Sequence, residues 1–239
     1  MPMNKLEVKN ITKTYKKKKA LDGISCEFTV GVNTLLGANG AGKSTLMNII
    51  STAASPTSGE VTYGGREIIS AGESYREKSA VLFQHQPYFP NTRVSEFMRY
   101  NAMLKGIPSK SIRELSDSAL EKLGVFQCRD MKMKELSGGM RQRVFVAQTI
   151  LSQPEIIILD EPSAGLDIAE RTELKEMIAE LGRTAIVIIS THIVSDIDGI
   201  SDRLFIIDKG RLLWNGSISE VPGGDISGFY LEKTGGEKL

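Results

Sequence analysis

Apolar residues recur near period two at Leu6, Val8 and Ile11 and again at Ile24, Cys26 and Phe28, so Leu6 to Val30 predicts short strands of an antiparallel sheet. Val32 to Leu36 predicts a further strand running into a glycine-rich turn. Ser44 to Ser51, with Leu46, Ile49 and Ile50 at helix-compatible positions, predicts the helix behind it. Glu60 to Tyr63, turning at Gly64 and Gly65, extends the antiparallel part, and Ser79 to Phe83 predicts a buried strand. From Val94 to Leu151 strand signals vanish and three helical stretches follow, near Val94–Lys105, Ser109–Leu123 and Gly139–Leu151. After Pro154 the alternation resumes as strand Ile156–Leu159, helix Ile168–Leu181, strand Ala185–Ser190 and strand Leu204–Asp208, turning at Gly210. Strands alternating with helices imply a parallel sheet covered on both faces. From Pro222 the glycines at 223, 224, 228, 235 and 236 predict a weakly specified tail that frays.

Length and charge narrow the classes. A chain of 239 residues buries a full hydrophobic core as one large domain or a domain with a subdomain. Thirty basic and 29 acidic side chains leave a net charge of +1 with both signs scattered, which does not suggest a nucleic-acid partner. The basic run Lys16 to Lys19 reads as a solvated loop between strands. Cys26 and Cys128 lie far apart without a partner motif, so neither disulfide framework nor metal site is indicated and a reducing compartment fits. Lys5, Glu7 and Lys9 interrupt the apolar N-terminal positions, unlike a signal peptide. The longest apolar runs, Ile156–Leu159 and Ala185–Ile189, fall far short of the roughly 20 residues that cross a bilayer.

The candidate chemistry begins at Gly37-Ala38-Asn39-Gly40-Ala41-Gly42-Lys43-Ser44, which matches the phosphate-loop pattern of two fixed glycines followed by Lys and Ser. Glycines let successive backbone N–H groups converge on an anion, and the following helix adds its positive end. In such a loop Lys43 reaches the β and γ phosphates of ATP, Ser44 places its hydroxyl on Mg²⁺, and Thr45 holds a second phosphate. The predicted strand before and helix after supply the required context. The apolar run Ile156–Leu159 ends in Asp160-Glu161. Alternation along a strand points the two acids differently, so Asp160 is expected to bind Mg²⁺ beside Ser44, and Glu161 to face the γ-phosphate and polarise the attacking water. On its own, an acidic pair at a strand end is equally a solvated one.

Leu136-Ser137-Gly138-Gly139-Met140-Arg141-Gln142-Arg143 opens the third insertion helix with a hydroxyl and two glycines, a second helix start able to hold phosphate. Taken alone, it reads as a Ser N-cap with flexible glycines. With the phosphate loop beside it, the chain resembles the ATP-binding cassette family, whose signature is Leu-Ser-Gly-Gly-Gln or a close variant; the resemblance covers residues 4 to 221. It implies an α/β fold: a P-loop NTPase core with a mostly parallel sheet, an N-terminal antiparallel β subdomain and an inserted α-helical subdomain. The expected boundaries are 1–84 and 152–221 for the core with its antiparallel part, 85–151 for the helical insertion and 222–239 for the tail.

The resemblance also implies ATP hydrolysis with Mg²⁺ by two cassettes paired head to tail, as a homodimer. Ser137, Gly138 and Gly139 of one then close over the γ-phosphate held by the phosphate loop of the other. It implies that Tyr15 stacks on adenine, that Gln84 senses Mg²⁺ and the attacking water, that Ser163-Ala164-Gly165-Leu166-Asp167 joins the two active sites, and that His192 contacts the γ-phosphate. Ala38, Met140 and Ser163 depart from the commoner Pro, Gln and Thr without removing a charge or a catalytic group. Separate transmembrane permease subunits are implied, docked on the helical insertion with Tyr88, Phe89, Pro90 and Met98 as candidate contacts, which places the chain in the cytoplasm on the inner face of the membrane. Ser190 to Asp196 and the phosphate loop look most like bacterial exporter cassettes of the drug and peptide resistance kind. The alternative is a soluble cassette acting in cofactor assembly or on the ribosome. A coiled-coil chromosome or repair ATPase is disfavoured, because no heptad run divides the chain.

Overall fold

The computed structural model describes residues 5–236, and residues 1–4 and 237–239 of the expected core and tail ranges lie outside it. Strands β1 (Leu6–Tyr15) and β2 (Lys18–Phe28) form a hairpin, β3 (Gly31–Leu36) enters the phosphate-type loop, and α1 (Lys43–Ile50) leaves it. Then come β4 (Ser58–Tyr63), β5 (Arg66–Glu67), two short helices α2 (Ile68–Ala71) and α3 (Glu73–Arg76), and β6 (Ser79–Leu82). Helices α4 (Val94–Leu104), α5 (Ser109–Lys122) and α6 (Gly138–Thr149) follow without a strand between them. The chain continues through β7 (Ile156–Asp160), α7 (Ile168–Gly182), β8 (Ile186–Thr191), β9 (Arg203–Asp208), β10 (Arg211–Ser217) and α8 (Ile226–Lys233).

Among the described residues the strands make two sheets. One is antiparallel in the order β2-β1-β4-β5, and the other has the order β10-β9-β3-β8-β7-β6, parallel except at the edge pair β9 and β10. The sequence explains why both faces of the second sheet are covered. Successive side chains point to opposite faces, and every residue of β7 and β8 is buried. Ile157, Leu159, Val187 and Ile189 pack with Phe97, Met98, Leu120 and Val144 of the helical stretch in one core. Ile156, Ile158, Ile186 and Ile188 pack with Leu6, Ile24, Leu46 and Ile50 in another. Trimming any of these isoleucines to alanine should cost about 2–5 kcal/mol. Both cores meet at the central strands, so the carboxyl ends of β3 and β7 are held by packing on two sides.

Several expectations need correction or addition. The run Lys16 to Lys19 is not a loop: only Lys16 and Lys17 form the turn, Lys16 at φ 53°, and Lys18 already begins β2. The turn at Gly210 leads into an unforeseen strand, β10, which pairs antiparallel with β9. The tail does not fray at once: Asp225 caps α8 by accepting the Gly228 N–H at 2.9 Å, and Ile226, Phe229 and Tyr230 are buried, with Phe229 edge-on to Trp214. Met98 is fully buried, and Tyr88 is partly buried against Phe145, so these two belong to local packing rather than to a docking face. No helix among the described residues is long and apolar enough to cross a membrane.

Candidate functional site

The loop between β3 and α1 is shaped by approaches that leave no room for a side chain. A Cβ on Gly37 would lie 2.2 Å from the Ile207 carbonyl oxygen of β9. Gly40 and Gly42 have φ of 81° and 113°, in the left-handed region that favours glycine. Gly210 N–H donates to the Ala41 carbonyl at 2.8 Å, tying the loop to the turn after β9. Helix α1 starts with neither a side-chain cap nor an acid in its first turn, so its N-terminal partial positive charge faces the loop uncompensated. Lys43 folds back across the loop and donates to the Gly37 and Ala38 carbonyls at 2.6 and 3.2 Å. Burial lowers its pKa from the ordinary lysine value, while Glu161 and Asp160 oppose that shift.

At the end of β7 the two acids diverge, Asp160 as the last strand residue and Glu161 already outside it. Asp160 is buried and accepts a hydrogen bond from the Ser190 hydroxyl of β8. Glu161 leaves the strand with φ 49°, and its N–H donates to the same hydroxyl at 2.9 Å. Ser190 therefore ties the Asp160 carboxylate to the Glu161 backbone. The Glu161 carboxylate turns towards the loop, with Oε1 3.9 Å from Lys43 Nζ and 3.1 Å from His192 Nδ1. Beyond it, Asp196 accepts from Ser163 Oγ at 2.5 Å and Thr191 Oγ1 at 3.1 Å, which holds the segment from Ser163 to Asp167 against β8. Asp167 caps α7.

An open cleft of about 700 Å³ collects much of the predicted site: Tyr15, Asn39, Gly40, Gly42, Lys43, Ser44, Thr45, Gln84 and Glu161 all line it. Tyr15, at the end of β1, is half exposed, with the Lys13 ammonium 4.9 Å from its ring centre. Gly37, Ala38, Ala41, Asp160 and His192 are not part of this lining. Lys18, Lys19, Ala20 and Lys209 also line it and were not among the predicted residues. The signal for the first two was their position one turn after Tyr15. Ser137, Gly138 and Gly139 do not reach this cleft; Ser137 caps α6 by accepting the Met140 N–H at 3.1 Å.

A cleft with uncapped helix amides, a buried lysine and a carboxylate aimed at that lysine defines a class, an enzyme site for nucleotide phosphates. Comparison with known proteins identifies the family. The profile of the family described as ABC transporter matches residues 21–164, which include the phosphate loop, Ser137 to Gly139 and both acids. The daunorubicin resistance ATP-binding protein DrrA3 of Streptomyces coeruleorubidus is 29% identical over 96% of this chain and 74% of its own length. The methionine import ATP-binding protein MetN of Mannheimia succiniciproducens is 31% identical over 90% of this chain and 66% of its own. The crystal structure of the ADP conformation of MJ1267, an ATP-binding cassette of an ABC transporter, superposes with a TM-score of 0.86 at 26% identity, covering 98% of this chain and 100% of that one. The chain belongs to the ABC transporter family; it is an ATP-binding cassette that binds and hydrolyses ATP.

Proposed function

We propose that this cassette powers a membrane transporter by closing on a second copy of itself, head to tail, around two ATP molecules. Residues Gly37 to Thr45 hold the phosphates, Tyr15 stacks on adenine, and Ser137, Gly138 and Gly139 of the other copy close over the γ-phosphate. Glu161 activates water, and His192 contacts the γ-phosphate while orienting Glu161. The observation that carries this reading is the Glu161 carboxylate lining the same cleft as Lys43 and Ser44.

Mg²⁺ suits the hard oxygen donors here: the exposed Ser44 hydroxyl and the Gln84 amide oxygen in the cleft lining, and the Asp160 carboxylate, buried at the end of β7 outside that lining. Phosphate oxygens and water would supply the remaining ligands of such an ion. When bound, Mg²⁺ neutralises charge building on the phosphates.

The core is 1–84 with 152–221, the helical insertion 85–151 and the tail 222–239, and the insertion carries the membrane subunit. Its exposed apolar residues Phe89, Tyr100, Met103 and Leu104 support that role, beside a groove of about 810 Å³ lined by Arg76, Leu104, Ile107 and Leu151 among others. This puts the chain on the inner face of the membrane. Export is our reading of its direction, from the likeness to the daunorubicin resistance protein. The methionine import protein is as similar, so copurification and identification of the membrane subunit test that part. Pairing is tested with Glu161→Gln, which should hold ATP and run as a dimer in light scattering; a monomer at saturating ATP would refute the homodimer.

A further inference from the structure

The start of α6 is shaped to hold an anion, and a side chain of the same protein fills the place. Ser137 Oγ donates to Glu170 Oε1 at 3.0 Å, and the Gly139 N–H donates to the same oxygen at 3.1 Å. One carboxylate oxygen thus collects a hydroxyl and a main-chain amide at the positive end of a 12-residue helix. These are the donors that the head-to-tail reading above offers to a phosphate oxygen. The approach depends on glycine: a Cβ at residue 139 would lie 2.3 Å from the Glu170 carboxyl carbon.

The Glu170 side chain is not needed to start its own helix. Asp167 does that, its Oδ1 accepting the Glu170 N–H at 2.8 Å, which leaves the Glu170 carboxylate to reach across to α6. One turn further along α7, Glu173 pairs with Arg143 of α6 at 2.9 Å. That second contact is an ion pair between side chains, and an arriving phosphate does not compete for it. Glu170 is in a different position, because Ser137 O–H and Gly139 N–H each have one proton to donate, and two anions at one seat repel.

We propose that Glu170 is a positioning residue that occupies the signature seat in the open cassette and must leave Ser137 and Gly139 before the γ-phosphate held by the other copy can be gripped. Its carboxylate thereby raises the ATP concentration at which two cassettes close. The proposal rests on the head-to-tail reading and names what regulates that contact. An occupied seat weakens apparent affinity by the fraction of molecules in which the seat is free.

The test is an Mg-ATP titration of pairing, read by light scattering, in the Glu161→Gln background. Adding Glu170→Ala should lower the half-saturating ATP concentration about 3- to 10-fold. Glu170→Gln, which keeps the shape and loses the charge, should lower it by a smaller factor. Glu170→Asp, one methylene too short to reach the seat, should resemble Glu170→Ala. In the otherwise native chain, Glu170→Ala should lower the KM for ATP by a similar factor, which a purely structural contact would not do. Ser137→Arg, which plugs the seat, should abolish pairing. If it does so while Glu170→Ala leaves the ATP threshold unchanged or higher, the head-to-tail reading stands and the role of Glu170 is refuted. If Ser137→Arg still pairs, or if no variant pairs at any ATP concentration, the reading itself fails and the role of Glu170 fails with it.

Discussion

Lys43 Nζ stands 3.9 Å from Glu161 Oε1, and both side chains are almost closed to solvent, at 5% and 10% exposure. A buried lysine with a carboxylate partner beyond hydrogen-bond length is costly in the absence of phosphate. Burial is the largest influence on Lys43 and pulls its pKa below 10.5, against the pull of Glu161 and Asp160. The unfolded chain therefore holds this proton more tightly, and between the lowered value and 10.5 the stability of the nucleotide-free protein rises with pH. Below that window the penalty is present in full. Lys43→Met should lose this rise, worth about 1.4 kcal/mol for each unit of lowering. Urea midpoints of both proteins across alkaline pH check it; parallel curves would show that the burial costs nothing. The same variant should bind ATP about 10- to 100-fold more weakly, since it loses a charge-assisted contact.

Gly37→Ala should damage the loop from the other side. Its Cβ would meet the Ile207 carbonyl at 2.2 Å, so either the loop or β9 must shift. The expected result is a loss of about 1–3 kcal/mol in thermal or chemical unfolding, together with weaker ATP binding by calorimetry. A variant with native stability and affinity would mean that the contact with β9 does not shape the loop.

The parts of the site that could be read in the sequence are those whose geometry is local. The spacing from Gly37 to Ser44 is dictated by main-chain amides converging on one anion, and Asp160-Glu161 stand at the end of an apolar strand, so both were visible as residue order; that a positive φ at Glu161, rather than strand alternation, separates the two acids was not. The contacts made across the fold were not. Nothing near Glu170 announces that it meets Ser137, 33 residues away, and Lys18 and Lys19, which line the cleft from the start of β2, lie in a run read as a solvated loop. Strand β10 was hidden by a register shift between Leu212 and Trp214 on an edge strand. Helix α8 was hidden by neighbouring glycines, although Ile226, Phe229 and Tyr230 already had helical spacing. Met98 resembled a surface contact until α4 turned it into the core beside Phe97 and Ala102.

The exposed apolar residues of the helical insertion lead to a separate prediction. Phe89 and Leu104 are 64% and 69% exposed, and Phe89 lies edge-on to Tyr100 at 6.4 Å. The double substitution Phe89→Asp and Leu104→Asp should reduce recovery of the membrane subunit in copurification about tenfold or more. ATP binding by the isolated chain, measured by calorimetry, should remain. Full recovery of the complex would move the docking surface elsewhere on the cassette.

The central claim is that Glu161 activates the water that attacks ATP bound over Lys43. It is tested most directly by phosphate release from Mg-ATP in the native chain and in Glu161→Gln, with ATP affinity measured on the same samples. The account predicts release slowed about 100- to 10,000-fold with affinity kept within a few fold. Release at the native rate from a variant that still binds ATP would contradict it.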